Sequence, residues 1–342
     1  MNHVGIRMSP PSSNGTPRAG LPTVADKAGG PRASTSDPVR TSRAHPQAHA
    51  LGPRGRRFLL SVLFVTLITA QAWVSLVRGA IADELYSYAI LIPFIAAWLV
   101  WQNQKAAPYS GPSSQVTAWI LIAMAALCAL GGIAARRSGW ITSGTSWLTT
   151  QMAAWVLGVW GVASLHLGWE WLRQHRFAAC FLAFTIPLPD PAILAIEFGL
   201  QSASATASDW LFAASGTPYL RDGMAFWLPN IHIQVAPECS GIRSTLVLFI
   251  TGVLGAYLLL RNRLHQAAVI LVIVPLGIFR NALRILTLTL LSVHVDPQIM
   301  NSALHKRGGP LFFAVSLIPL FVMFWWFSRR ERQSSRLRAT PP

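Results

Sequence analysis

The chain has 342 residues, of which 52% are hydrophobic and only 12% charged, with 14 tryptophans and a formal net charge of +16. Charge at about half the level of an ordinary soluble domain excludes a soluble globular fold. The positive charge gathers in tails and short loops, as membrane orientation requires, and no nucleic-acid motif accompanies it, so a nucleic-acid partner is excluded too.

Residues 1–56 are rich in Pro, Gly, Ser, Thr and Arg and lack apolar periodicity, which predicts a disordered, basic, cytoplasmic tail. The first apolar run begins far from Met1 without a small-residue cleavage site, so it reads as an uncleaved first span and not as a signal peptide. Residues 57–328 form the membrane domain, and the run RRERQSSRLR opens a second basic tail over 329–342.

Eight spans are predicted: Phe58–Val77, Leu85–Trp101, Val116–Ala135, Ser146–His166, Phe177–Leu188, Thr245–Leu260, Gln266–Val293 and Pro310–Phe327. The fifth is short for a crossing. The following stretch, PAILAIEFGLQSASATASDWLFA at 191–213, reads as an interfacial or re-entrant helix. Arginine and lysine placement puts both termini in the cytoplasm and residues 189–243 outside. The fold class is therefore an all-α polytopic membrane protein of about eight helices. Alternation over Ile231–Val235 after the turn signal Pro229-Asn230 adds a short, hairpin-like β segment outside the membrane.

That segment leads into VAPECSGIRS. Cys128 and Cys180 lie inside apolar runs and read as packed thiols, and the odd count gives neither a disulfide framework nor a zinc motif. Cys239 differs. Glu238, Ser240 and Arg243 make its surroundings polar, and it precedes a predicted helix N-terminus, where the helix dipole and a cation favour the reactive thiolate.

The seventh span carries PLGIFRNALRILTL, with Arg280 and Arg284 one turn apart on one face. At ~1.5 Å per residue, Arg284 lies roughly 27 Å from the inner end of the run, near the outer surface. Snorkelling would explain one arginine there. Two arginines and Asn281 in one apolar helix argue for an interior polar site. The next outer loop adds His294 and His305. Cys239, Arg284 and His305 then share one membrane face, and supply a nucleophile, an oxyanion-stabilising cation and a general acid/base for acyl transfer. Asp296 is a weaker candidate to orient the histidine.

At these residues the chain resembles the exosortase/archaeosortase family of membrane transpeptidases. The likeness rests on GTPYLRDGMAFWLPNIHIQVAPECSGIRS, then NALRI, then HKRGGPLFF, with YSYAILIPFIAAWLVW and FLAFTIPLP earlier, and it covers roughly residues 58–327. The resemblance implies a catalytic Cys239, Arg284 and His305, with Asn281 matching an asparagine three residues before the arginine. Arg280 has no such match and stands with Ser240, Gly241 and Arg243 as supporting. Where many members carry Ser-His-Gly in the second span, this chain has Ser87-Tyr88-Ala89.

The resemblance further implies cleavage of a C-terminal sorting signal (a Pro-Glu-Pro-like motif, an apolar helix and a basic cluster) on exported proteins at the inner membrane. The product would pass to a lipid or surface-glycan acceptor, without cofactor or metal. Two other readings stay open: a transporter using the buried arginines for an anionic substrate, and a non-catalytic exopolysaccharide or surface-assembly factor.

Overall fold

The computed structural model describes residues 52–82, 84–103, 115–228, 231–235, 240–296 and 309–339. Eleven α-helices and one small sheet are found among them. Six helical segments are long and apolar enough to cross a membrane, and two bent helix pairs raise the total to eight if each pair counts as one span. Every expected span falls on one of these.

The first span is bent. α1 (Pro53–Ile68) and α2 (Ala70–Ala82) meet at Thr69 with a change of direction of 70°. The Thr69 hydroxyl donates back to the carbonyls of Val65 (2.9 Å) and Thr66 (3.3 Å), and Thr66 donates to Val62 (2.8 Å). Such hydroxyl back-bonding competes with the helical ladder and bends it. An apolar run records hydropathy but not this competition, so Phe58–Val77 read as one helix.

α3 (Ser87–Gln102) follows, then α4 (Gln115–Arg137) and α5 (Gly144–Leu167). α5 is the central post: 61% of its span is buried, against 17% for α4. Glycines set the close approaches. A Cβ on Gly161 would stand 2.7 Å from Ile122 of α4, and one on Gly158 would stand 2.9 Å from Val65 of α1. Small residues at such crossings substitute dispersion for the hydrophobic drive that lipid does not supply. Met152, Trp155 and Val156 of α5 bury against Leu76, Ala89 and Ala96. The outward faces keep Phe64, Leu127 and Leu271 exposed, as spans facing acyl chains do.

α6 (Trp169–Gln174) and α7 (Arg176–Leu182) lead through a 3-10 turn at Ala183–Thr185 into extended Ile186-Pro187-Leu188-Pro189. Two prolines in four residues forbid a continuous helix. α8 (Asp190–Ser215) then departs at 93°. Residues 191–213 are thus one uninterrupted helix whose inner face buries Leu200, Ser204, Ala205, Ser208 and Phe212.

The sheet is a three-stranded antiparallel meander, β1 (Leu220–Asp222), β2 (Ala225–Leu228) and β3 (Ile231–Gln234). It adds one strand to the expected hairpin. β1 is only three residues long and turns at Gly223 (φ 59°), too short for alternation to reveal.

α9 (Ile242–Leu259), α10 (Arg263–His294) and α11 (Gly309–Ala339) form a second bundle with Leu248, Ile273, Leu320 and Phe324 at its core. α11 runs past residue 328, so part of the expected basic tail is helical. Its Glu331 carboxylate accepts from the backbone N–H of Arg261 (2.8 Å) and Asn262 (3.0 Å) and pairs with His265 (2.8 Å). This clamps α11 to the N-terminus of α10, where the helix dipole favours an anion. Charged hydrogen bonds of this kind contribute more than neutral ones, so Glu331→Ala should destabilise the detergent-solubilised protein by about 1–2 kcal/mol. The measure is a lower thermal midpoint, with Glu331→Gln between the two; an unchanged midpoint would show the clamp to be idle.

Candidate active site

The site grows from α10. Asn262 caps that helix by accepting from the N–H of Leu264 at 2.9 Å, and the helix then runs unbroken to His294. Arg280 and Asn281 lie on its buried side at 5% and 2% exposure, and Arg284, half-buried, is one turn further on. Polar groups at that depth need partners. The Asn281 amide donates to Ser204 Oγ of α8 at 3.0 Å.

The other wall is the start of α9. Gly241 is its N-cap, with φ 73°, a conformation that lets the chain leave the sheet side and enter the helix in one residue. A Cβ on Gly241 would stand 3.1 Å from Arg280 Nη2 and 3.3 Å from Asn281 Cγ and Oδ1. The backbone of Gly241 is therefore seated on the guanidinium and carboxamide. Ser240 is 2% exposed, and its Oγ accepts from the N–H of Ile242 at 3.4 Å. Ser244 Oγ donates to the Gly241 carbonyl at 3.1 Å.

The sheet is fixed to the same helices. Phe226, Ile233 and Val235 bury against Ala205 and Phe212 of α8 and Ile285 of α10. Arg221 of β1 pairs with Asp209 of α8 at 3.2 Å. Tyr219 donates to Asp209 Oδ1 at 2.8 Å, and that hydrogen bond, followed by burial, raises its phenol pKa. Val235 is held twice: its N–H donates to the Met224 carbonyl at 2.9 Å, and its carbonyl accepts from Gln201 Nε2. The chain is anchored at Val235 and again at Ser240–Gly241, on either side of residues 236–239.

The structure thus brings Ser240, Gly241, Arg280 and Asn281 together and sets Arg284 on the next turn. Arg243 lies on the first turn of α9 and is exposed, as are His294 and Asp296 at the end of α10. Cys239 and His305 lie outside the described residues. Sequence reasoning missed Gln201 and Ser204. The signal was available: Gln201, Ser204 and Ser208 recur at i, i+3 and i+7, a polar helical stripe in an otherwise apolar segment. Among the described residues no three His, Cys, Asp or Glu side chains converge as metal ligands.

Beside the site lies a cavity of about 560 Å³, walled by Tyr88 of α3, Phe184 and Pro187 at the α7–α8 bend, Leu200 of α8, and Ile242 and Leu246 of α9. Its walls are almost wholly apolar. Ile242 links it to the polar cluster, because the same first turn of α9 faces both.

Among known families, the model described as Transmembrane exosortase matches residues 73–322, which runs from within α2 to the first half of α11. No curated protein and no solved structure matches.

Gly241→Ala tests the seat of α9 directly. A non-glycine residue in the left-handed region costs roughly 1–2 kcal/mol, and the added methyl must push on Arg280. The variant should unfold at a lower temperature than wild type. Gly199→Ala in α8, with no atom within 4 Å of the new methyl, should unfold no earlier than wild type. Equal midpoints for Gly241→Ala and wild type would remove the close seat.

Proposed function

We propose, from the premise that this chain belongs to the transmembrane exosortase family, that it is a cysteine-dependent transpeptidase acting on exported proteins with a C-terminal sorting signal. The multi-pass membrane domain and the sorting-enzyme family are the given part. The observation that carries the rest is the seat of Ser240–Gly241 on Arg280–Asn281, with Arg284 one turn away. Cys239 is bonded directly to Ser240, so the candidate nucleophile is tethered to the one strongly cationic place described between the helices.

In the proposed reaction the Cys239 thiolate attacks the carbonyl carbon of the scissile peptide near the sorting motif. The carbonyl π bond opens and its oxygen becomes an oxyanion, which Arg284 stabilises. As the tetrahedral species collapses, the C–N bond breaks, His305 in its protonated form gives its proton to the departing amine, and a thioester joins the substrate to Cys239. An acceptor amine then attacks the thioester, His305 takes its proton, and the thiolate leaves. The acceptor is a lipid or surface-glycan amine.

The setting is the inner membrane, with both termini cytoplasmic and the site on the outer face. Arg54, Arg56 and Arg57 before the first span, Arg261 and Arg263 between α9 and α10, and Arg329 and Arg330 near the end of α11 support that orientation through the excess of cations on the inner side. The apolar cavity supports a substrate whose cleavage motif adjoins a hydrophobic segment, since polar cluster and apolar wall share the first turn of α9. A helix-anchored substrate also meets the enzyme in two dimensions, which raises its effective concentration. A transporter would use Arg280 and Arg284 but would leave Cys239 without a task.

The test is co-expression of a protein ending in a Pro-Glu-Pro-like motif, one apolar span and a basic cluster, with wild type or with Cys239→Ala, and mass spectrometry of the substrate's C-terminus. Trimming or conjugation is expected with wild type and a loss of at least about a hundredfold with Cys239→Ala. Equal processing in both would sink the cysteine mechanism.

A further inference from the structure

Arg280 is not accounted for by the reaction above. It matches nothing in the family pattern quoted for the chain, and yet it is the more deeply buried of the two arginines, at 5% exposure. Its Nη1 is fully enclosed and, among the described residues, has no hydrogen-bond partner. A buried guanidinium donor without an acceptor is costly, so one is tolerated where an acceptor comes and goes.

Its placement says where that acceptor would sit. Nη2 packs against Gly241, 3.1 Å from where a Cβ would be, and Gly241 is the N-cap of α9, an 18-residue helix. The first N–H groups of a helix have no partner within it and carry the positive end of its dipole. Ser240 Oγ offers only a long 3.4 Å contact to the N–H of Ile242. Two independent sources of positive potential, a fixed helix end and an enclosed guanidinium, therefore meet at the same glycine. The absence of a side chain at Gly241 lets the helix end and the guanidinium come into direct contact. The planar fork of arginine matches one chemistry best, a carboxylate held by two parallel N–H bonds.

We infer that Arg280 and the N-terminus of α9 form a carboxylate-binding site, separate from the oxyanion role proposed for Arg284. The inference deepens the transpeptidase reading and rests on it for its meaning. If water instead of an amine attacks the thioester, its oxygen bonds to the acyl carbon, His305 takes one of the two water protons, the C–S bond breaks and the thiolate leaves. The acid formed loses its proton to water, and the site holds the resulting α-carboxylate beside Cys239. Arg280 is then a binding residue for product, and its occupancy sets how far released acid competes with the acceptor.

The test reads the anion site without any substrate. Full-length protein in detergent is alkylated with iodoacetate, which carries a carboxylate, or with neutral iodoacetamide, and the rate at Cys239 is measured by peptide mass spectrometry beside that of N-acetylcysteine in the same solution. The iodoacetate-to-iodoacetamide rate ratio at Cys239 is expected to exceed that of N-acetylcysteine by about tenfold or more, the size of a charged hydrogen-bond pair. Acetate should slow iodoacetamide at Cys239, and chloride at the same ionic strength should not. Arg280→Met should bring the ratio to that of N-acetylcysteine, Arg280→Lys should keep most of it, and Arg243→Met should lower it less than Arg280→Met does.

A wild-type ratio no higher than that of N-acetylcysteine would overturn the site without any variant, so a misfolded Arg280→Met does not decide the matter. A preference abolished by Arg243→Met and kept in Arg280→Met would overturn it as well. The two proposals fail separately: processing that survives Cys239→Ala ends the transpeptidase, whereas the alkylation ratio alone judges the carboxylate site.

Discussion

Two guanidinium groups and a carboxamide inside an apolar helix cannot face lipid, and the second half of the molecule is arranged around that constraint. A charge at the bilayer's centre is costly even after local adjustment, so intramembrane arginines turn inward. α10 turns Arg280 and Asn281 to its buried side, and three elements cover them. α8 supplies Ser204 as an acceptor, α9 lays the backbone of Gly241 across the guanidinium, and the sheet closes over Ile285 one turn on. Move any of the three and a polar group loses its cover. The same demand explains why a small sheet exists in an otherwise helical protein: Phe226, Ile233 and Val235 form an apolar cap braced by the Arg221–Asp209 pair.

The two bundles answer different requirements. Around α5 the packing is close, with glycine where α1 and α4 cross it, which suits a scaffold that need not change. Around α9 and α10 the contacts are tight in the middle, where Gly252 meets Ile273 and Gly277 meets Thr245, and turn polar at the start of α9. The cavity lies between the bundles, at the bend where two prolines interrupt the α7–α8 pair. A pair of straight spans there would close that space with side chains.

What could be read from the sequence follows the range of the interactions involved. Hydropathy is local, and the eight apolar runs all fall on spanning helices or bent pairs. The alternation at Ile231–Val235 is local too, and β3 is there. Bends are less legible: Thr69 breaks a span through one hydroxyl, and no periodicity marks it. Long-range partners are least legible. The link from Asn281 to Ser204 crosses 77 residues, and that from Glu331 to the start of α10 nearly as many. Glu331 sits in a basic run, where one acid reads as charge balance until its partners are known. At the site, the pattern of polar residues pointed to α10 and to the start of α9, but the order of importance did not follow. Arg280 lacks a match to the family pattern and read as the lesser arginine, yet it is the one in contact with Gly241.

The junction of a polar cluster with an apolar cavity at a single helical turn bears on how a membrane enzyme could choose its bond. Recognition of an apolar segment alone is weakly specific, since one methylene more or less discriminates little. Recognition of a polar motif alone would compete with every exported protein passing the outer face. A site that requires both, in fixed register, multiplies two modest selectivities. The register here is set by covalent geometry: Ile242 faces the cavity, Gly241 faces Arg280, and the chain continues from Ser240 directly to Cys239. On the proposed reading, a substrate helix lodged against Ile242 and Leu246 brings the residues just beyond its end to the thiol. The scissile bond is then chosen by its distance from the end of an apolar segment as much as by its own sequence. That arrangement would tolerate variation in the apolar segment's composition and not in its spacing from the motif. It would also place any carboxylate formed at the thiol beside the enclosed Nη1 of Arg280, which has no hydrogen-bond partner among the described residues.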